Sequence, residues 1–186
     1  MKRLFDIAFA LLLGIFLAPV AGIISLCIRW EDGGPSLFWS KRVGIFNKEF
    51  LMPKFRSMKL NTPQLASHLL TTPENHVTRV GRVLRKYSLD EIPQLWSVLR
   101  GNMSFVGPRP ALFNQEDLIS LRSQKGIDIL KPGITGWAQI NGRDEISIQK
   151  KIEFDEYYLK NRNFFIDMKI IYLTIFKVIS KEGISH

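Results

Sequence analysis

The sequence has 186 residues, of which 46% are hydrophobic, and this length and composition suit one folded domain together with a membrane contact. There are 26 Lys and Arg residues against 17 Asp and Glu, and the net charge of +9 favours phosphate-rich partners: a nucleotide substrate, anionic lipid headgroups or nucleic acid. Cys27 is the only cysteine, which excludes an intramolecular disulfide and favours a cytoplasmic location for the folded part.

An apolar segment at residues 7–28 is the first predicted element. Ser25 is its only polar side chain, and a helix of 22 residues at about 1.5 Å per residue is long enough to cross the hydrocarbon of a bilayer. A secretory signal peptide has a shorter apolar run, and a buried core helix is rarely apolar on every side for this length. We therefore predict that this segment inserts into a membrane.

Two features argue against a straight membrane span. Pro19 lacks an N–H to donate to the carbonyl of Ile15 and clashes with it, so a kink is expected. The nearby basic residues lie on both sides of the segment: Lys2, Arg3, Arg29, Lys41 and Arg42. Since neither flank has the charge of an outer side, we predict a re-entrant helix over residues 1–30 that breaks at Ala18 and Pro19. A proline-kinked spanning helix is the alternative.

A small β-hairpin is predicted after the membrane segment. Residues 37–43 and 46–55 have the composition of short strands around the turn residues Asn47 and Lys48, which fall at the start of the second range. Residues 61–75 are the most loop-like part of the chain. Residues 77–99 then carry apolar residues at helical spacing, with an interruption expected at Pro93.

The C-terminal half is predicted to be mostly helical. We predict loops at 101–110 and 131–142 and helices at 115–124, 147–159 and 163–179. The last helix has a broad apolar face, which suits a core helix and an amphipathic helix at a membrane surface equally well. The predicted fold is α+β and mostly helical, with residues 31–186 forming a cytoplasmic catalytic domain that carries interfacial helices.

Asp90 and Glu91 are the candidate catalytic carboxylates. Neighbours on a helix point about 100° apart, so the two cannot act as a paired acid and base across one bond. One carboxylate can attack phosphorus while the other holds Mg²⁺, which prefers oxygen ligands. An acidic pair on a solvated helix face is the commoner explanation of such a dipeptide.

Basic residues surround this pair in the sequence. Arg85 comes just before it, Arg109 follows between two prolines, and Lys54 and Arg56 end the predicted hairpin. A restricted backbone suits Arg109 as a phosphate clamp, although a structural turn with a solvent-facing Arg has the same pattern. The sequence has no P-loop, no GxGxxG turn and no Cys/His metal spacing, which disfavours a Rossmann-type or zinc enzyme.

Taken in order, four motifs resemble those of the monotopic phosphoglycosyl transferases, which are small bacterial sugar transferases. The motifs are KFRSM at 54–58, GRVLRK at 81–86 leading into SLDEIPQ at 88–94, GNMSFVGPRP at 101–110 and KPGITGWAQ at 131–139. The resemblance covers the chain from end to end.

The resemblance implies a reaction at the cytoplasmic face of the bacterial inner membrane. A sugar 1-phosphate passes from a UDP-sugar to polyprenol (undecaprenyl) phosphate with release of UMP, as the first membrane step of glycan assembly. It implies that Asp90 forms an aspartyl phosphosugar intermediate, that Asp90 and Glu91 hold Mg²⁺, and that Arg109, Arg85 and Lys54 bind phosphate. Members of this family often have Ser before the breaking proline, so Ala18 leaves a freed carbonyl to another partner.

Two other functions remain open at this stage. A membrane-anchored adaptor would use its basic surface for binding alone, and a glycosyltransferase would release UDP instead of UMP. Nucleic acid is not an expected partner of a phosphoglycosyl transferase. The motifs name neither the sugar nor the oligomeric state.

Overall fold

The computed structural model of the protein describes residues 2–60, 62, 76–142 and 146–180, with side chains as far as residue 177. The elements in chain order are helix α1 (Lys2–Asp32), strands β1 (Leu37–Val43) and β2 (Glu49–Phe55), helices α2 (Arg79–Lys86) and α3 (Leu95–Arg100), strand β3 (Ser104–Val106), helix α4 (Glu116–Gln124), strand β4 (Gly133–Thr135), and helices α5 (Trp137–Asn141), α6 (Ile148–Asn161) and α7 (Phe164–Ser180). Short 3-10 helices lie at Ile45–Asn47, Leu89–Gln94 and Ile127–Ile129. The predicted α+β class, mostly helical, is confirmed. The predicted loop at 61–75 lies outside the described residues except for residue 62.

The apolar N-terminal segment forms one helix of 31 residues with Pro19 inside it. Among the described residues, α1 is the one helix long and apolar enough to cross a membrane. Its middle is exposed, including Ile15, Phe16, Ala18 and Pro19. Because the helix continues to Asp32, Pro19 does not end it. The re-entrant path through a membrane stays a prediction.

Polar contacts hold the N-terminal end of α1 against the folded body. Lys2 pairs with Asp167 of α7 at 2.6 Å, and Arg3 donates to two carbonyls at the end of α3 at 2.5 and 2.7 Å. Asp6 is buried and accepts hydrogen bonds of 3.1 Å from the Ser104 hydroxyl and the next backbone N–H of β3. These contacts satisfy the polar groups that would otherwise make this helix end costly to bury.

The C-terminal end of α1 is held by different elements of the same body. Asp32 pairs with Arg56, which follows β2, and Glu31 accepts from the backbone N–H groups of Arg79 and Val80. Those N–H groups open α2, where a carboxylate satisfies donors that lack an intrahelical partner. Both ends of the apolar helix are thus attached to one domain, while the exposed apolar middle lies between them.

Strands β1 and β2 form the predicted hairpin. They pair antiparallel, with Trp39 opposite Pro53 and Phe38 opposite Lys54. Strand β2 begins at Glu49, later than predicted, because Phe46 takes a left-handed backbone conformation (φ 52°) within the 3-10 turn that joins the strands. The bounds of β1 agree with the prediction.

The predicted interruption at Pro93 was placed wrongly. Helix α2 ends at Lys86, and the chain turns at Ser88, which is left-handed at φ 54°. Pro93 instead lies inside the 3-10 helix that leads into α3. A proline is tolerated near a helix start, since the N–H that it lacks has no intrahelical partner there.

The predicted loops at 101–110 and 131–142 are also corrected. Strands β3 and β4 lie within them and pair in parallel, and α5 follows β4. Glycine allows this close pairing, because a Cβ on Gly107 would lie 2.2 Å from the carbonyl oxygen of Lys131. The glycines that suggested loops therefore serve close backbone packing.

Helix α7 has one buried face, as the core-helix alternative predicts, and a second face that is exposed. Ile170 is fully buried in the main hydrophobic core, where it belongs to the same cluster as Val98 and Ala10. On its other side Phe165 is 83% exposed, and Tyr172 and Phe176 are exposed as well. One face of this helix completes the core, and an apolar face remains uncovered.

Candidate active site

A short 3-10 helix presents Asp90 and Glu91. The left-handed Ser88 turns the chain out of α2, so both carboxylates fall in the first turn of the next element. Their side chains are only 13% and 18% exposed. The acidic pair is therefore a partly buried feature and not a solvated helix face, which favours a functional explanation.

Cations from two other elements converge on Glu91. Lys54 of β2 donates to Glu91 Oε1 at 2.8 Å, and an Nη of Arg109 lies 3.2 Å from the same oxygen. The Lys54 ammonium is 3.7 Å from Asp90 Oδ2. Glu91 thus carries the closer ion pairs, and Asp90 lies beside them with a longer contact to the shared lysine.

These surroundings move the pKa values of the two carboxyl groups in opposite directions. Burial raises the pKa of Asp90 above its ordinary value, and the neighbouring Glu91 raises it further, while Lys54, Arg85 and Arg109 offset only part of the effect. Burial alone also raises the pKa of Glu91, but the Lys54 and Arg109 cations outweigh it and hold that pKa well below the usual range. Such divergence is typical of carboxylates with different roles.

Arg85 approaches the acidic pair from the last turn of α2. Its Nε donates to the Ser57 hydroxyl at 3.0 Å. Burial lowers the pKa of the Arg85 guanidinium, and the nearby Asp90 carboxylate opposes that decrease. Helix α2 packs tightly beneath it, because a Cβ on Gly81 would lie 2.0 Å from the carbonyl oxygen of Ser57. Gly81 therefore permits the close approach of α2 to Ser57, the residue that Arg85 contacts.

Arg56, which the sequence paired with Lys54, has a structural contact instead. It is buried, pairs with Asp32 at the end of α1 and donates to the carbonyl of Pro35 at 2.7 Å. Arg56 therefore lies outside the site. The structure brings together the five residues predicted for catalysis and phosphate binding, which are Lys54, Arg85, Asp90, Glu91 and Arg109.

The backbone around Arg109 is fixed at consecutive carbonyls. The bonds in chain order are Gly133 N–H to Pro108 O (2.9 Å), Arg122 Nη1–H to Arg109 O (2.8 Å), Arg42 Nη1–H to Pro110 O (3.1 Å) and Val43 N–H to Ala111 O (3.0 Å). Partners thus come from β4, α4 and β1. The predicted stiffness of this loop arises from these bonds as well as from its prolines.

Arg122 and Asp155 are site residues that sequence reasoning missed. Asp155 of α6 is 1% exposed and accepts from Arg122 Nε and Nη2 at 3.0 and 2.7 Å. Burial raises the pKa of the Asp155 carboxyl, and Arg122 opposes that increase. Both residues occur at ordinary positions of predicted helices, so no local signal marked them. Their connection to Arg109 depends on the packing of α4 against α6.

The arrangement fits phosphate chemistry with Mg²⁺. A carboxylate lies beside cations that can instead bind phosphoryl oxygens, and Arg is well suited to that task. No group of at least three metal-binding side chains occurs in the described parts of the chain. Asp90 and Glu91 supply two carboxylates, however, and Mg²⁺ commonly uses one or two carboxylates together with substrate phosphates. The donor set therefore fits the ion.

Comparison with known proteins agrees with the four sequence motifs described above. A sequence model of the bacterial sugar transferase family matches residues 1–181. The whole chain aligns at 42% identity with 91% of the uncharacterized sugar transferase EpsL of Bacillus subtilis. It is 39% identical, over 95% of its length, to a UDP-glucose:undecaprenyl-phosphate glucose-1-phosphate transferase of Escherichia coli. It is 36% identical, over 98%, to a UDP-N-acetylgalactosamine-undecaprenyl-phosphate N-acetylgalactosaminephosphotransferase of Aeromonas hydrophila. The chain spans only 40% and 44% of the latter two proteins.

Proposed function

Because this chain belongs to the bacterial sugar transferase family, we propose that it transfers a sugar 1-phosphate from a UDP-sugar to undecaprenyl phosphate and releases UMP. The observation that carries the proposal is the partly buried Asp90–Glu91 pair surrounded by Lys54, Arg85 and Arg109. The names of the relatives from E. coli and A. hydrophila support this donor and acceptor. Their sugars differ, so the donor sugar is left open.

In the first step, an Asp90 carboxylate oxygen attacks the β-phosphorus of the UDP-sugar. A bond forms between that oxygen and phosphorus, and the bond from the β-phosphorus to the bridging oxygen breaks. UMP leaves with the bridging oxygen and its electron pair, and the sugar phosphate stays on Asp90. Asp90 suits this role because its contact with Lys54 is long, which leaves the carboxylate less tightly neutralised than Glu91.

In the second step, a phosphate oxygen of the lipid attacks the phosphorus held on Asp90. The bond from that phosphorus to the Asp90 oxygen breaks, which gives a polyprenyl diphosphate sugar and regenerates the carboxylate. Lys54, Arg85 and Arg109 stabilise the negative charge on the phosphoryl oxygens in both steps. Glu91 positions Lys54 and Arg109 through the contacts to its Oε1.

Asp90 and Glu91 are the residues that would hold Mg²⁺, which supplies further positive charge beside the diphosphate. The fixed carbonyls around Arg109 hold the loop before substrate arrives. Preorganised cations lower the cost of reorganising the site as charge moves between oxygens.

We propose an active site at the cytoplasmic headgroup level, and the contacts made by the two ends of α1 support it. A helix that crossed the bilayer would place its ends on opposite sides, whereas both ends of α1 contact the same domain. We propose that the exposed middle of α1 enters one leaflet and returns, and that the uncovered face of α7 lies at the membrane surface. The lipid phosphate and a cytosolic UDP-sugar then meet at one site.

The test is the nucleotide released when the purified protein meets a panel of UDP-sugars, Mg²⁺ and undecaprenyl phosphate. We expect UMP with a subset of the donors from the wild type, and no UMP from Asp90→Asn. Asp117→Asn, on an exposed face of α4, is the matched control and should keep wild-type activity. Release of UDP would indicate direct glycosyl transfer, and no release from any donor would favour a binding adaptor.

A further inference from the structure

An apolar groove lies between the hairpin and the element that carries the acidic pair. We call it the aromatic groove, and its volume is about 320 Å³. Its lining residues are Leu37, Trp39, Pro53, Pro93 and Trp96. Trp39 and Pro53 are directly opposite each other in the hairpin, and both tryptophans are about half exposed. The groove is therefore open to a ligand along aromatic side chains.

One wall of the aromatic groove leads towards Asp90. Residues three apart in a 3-10 helix lie on the same side, about 6 Å apart, and this spacing relates Asp90 to Pro93. Trp96 follows three residues later, in α3, where the same spacing again brings neighbours together. The aromatic groove therefore begins within one or two helical turns of the proposed nucleophile.

The chemistry of the lining selects between the two proposed substrates. Apart from the indole N–H groups, the side chains of the aromatic groove offer no hydrogen-bonding atoms. Uracil and sugar hydroxyls need such partners, whereas a polyprenyl chain needs only apolar surface. The Lys54 ammonium lies 3.7 Å from Asp90 Oδ2, so positive charge stands at the Asp90 side. A ligand with an anionic head and an apolar tail matches both parts.

Helix α3, which carries Trp96 of the groove, packs against the proposed membrane helix. Trp96 belongs to α3, whose last carbonyls accept hydrogen bonds from Arg3 at the start of α1. The helix that carries Trp96 is therefore a direct neighbour of the proposed membrane helix.

We propose that the aromatic groove binds the first isoprene units of the acceptor lipid, with the lipid phosphate at the Asp90 end. This inference rests on the proposed function, because it assumes a polyprenyl phosphate acceptor. It assigns Trp39 and Trp96 to recognition of the acceptor, separately from the residues that act on phosphate.

Photo-crosslinking tests the groove without requiring turnover. The probe is a polyprenyl phosphate with a diazirine on its first isoprene unit, incubated with the full chain in detergent. We expect labelled peptides that contain residues 37–39 or 93–96, with labelling competed by undecaprenyl phosphate. Labels only on α1 or α7, or groove labels that do not compete, would overturn the proposal. Competed groove labelling without UMP release would support the binding site and contradict only the proposed function.

Kinetics of groove variants give a second readout. Trp96→Ala and Trp39→Ala should each raise the KM for undecaprenyl phosphate by about tenfold, because each removes a large apolar contact. Labelling of the enzyme by UDP-sugar alone should stay as in the wild type. Trp96→Phe keeps an aromatic ring and should restore most of the affinity. Phe46→Ala removes a 60% exposed aromatic ring in the hairpin turn, outside the groove, and should change nothing. An unchanged KM in both alanine variants would refute the proposal.

Discussion

Arg122 donates a hydrogen bond of 2.8 Å to the backbone carbonyl of Arg109. A residue of α4 thereby fixes the backbone of Arg109, whose side chain contacts Glu91 of the acidic pair. Since the same guanidinium is paired with the buried Asp155, one residue links the stability of the fold to the position of a proposed phosphate ligand.

Removing Arg122 should affect both stability and activity. Arg122→Ala leaves Asp155 buried without its cation, and breaking a buried pair costs about 3 kcal/mol of unfolding free energy. Denaturant unfolding measures this change. Lys150→Ala breaks an exposed pair with Glu153 and should cost less than about 1 kcal/mol. Equal losses in the two variants would contradict a buried role for Arg122.

Arg122→Lys tests positioning apart from stability. Lysine keeps the charge but cannot hold Asp155 and the Arg109 carbonyl in one planar fork. We expect a folded protein whose kcat falls about tenfold, measured as UMP release at saturating substrates. A kcat equal to that of the wild type would show that Arg109 does not need this anchor.

The reaction should fail at acidic pH in a way that reports Asp90. The attacking carboxylate must be ionised, and burial raises its pKa above the ordinary value of 3.8. The acidic limb of the pH profile of kcat/KM should therefore have its midpoint above that value. Lys54→Met removes a cation that opposes this increase, so the limb of its residual activity should move to higher pH. A shift to lower pH would contradict the assignment.

The stability of the fold at acidic pH should depend on Glu91, whose pKa is shifted in the opposite direction from that of Asp90. Its pKa in the folded protein lies below the ordinary value of 4.5, so its ion pairs stabilise the fold above that pH. This contribution is lost as the pH falls below 4.5 towards the lowered pKa. Glu91→Gln should therefore show a smaller decrease in Tm on acidification than the wild type. Parallel Tm curves would indicate that Glu91 is not coupled to folding.

Cysteine accessibility tests the path of α1. In a Cys27→Ser background, Leu4→Cys and Trp30→Cys place exposed thiols near the two ends of the helix. An impermeant maleimide should label both from the cytoplasmic side only, because both ends contact one domain. Phe16→Cys, in the exposed middle, should be protected by lipid. Labelling of the two ends from opposite sides would establish a spanning helix.

Close packing at Gly107 gives a further test of the site scaffold. Gly107→Ala places a Cβ 2.2 Å from the Lys131 carbonyl oxygen, and the backbone must shift to relieve it. We expect a loss of about 2 kcal/mol or more in unfolding free energy. Gly14→Ala, with open space at the Cβ position, should be tolerated. Similar stability of the two variants would contradict the close pairing of β3 and β4.

Local patterns in the sequence predicted much of the fold. Strand-like composition beside turn residues gave the bounds of β1, and helical patterns gave α4, α6 and α7 within a few residues. The failures occurred where long-range packing overrides local preference. Ser88, not Pro93, turns the chain before the acidic pair, and the glycines at 107 and 133 join strands instead of ending them.

The sequence by itself determined the apolar helix, the hairpin, the acidic pair and the three basic residues that gather around it. It did so because periodicity, turn residues and family motifs are all encoded over short stretches of chain. Only the tertiary structure decided that Lys54 and Arg109 share one oxygen of Glu91 and that both ends of α1 contact one domain. It also decided that Asp155 holds Arg122, because residues 33 positions apart meet only when α4 packs on α6.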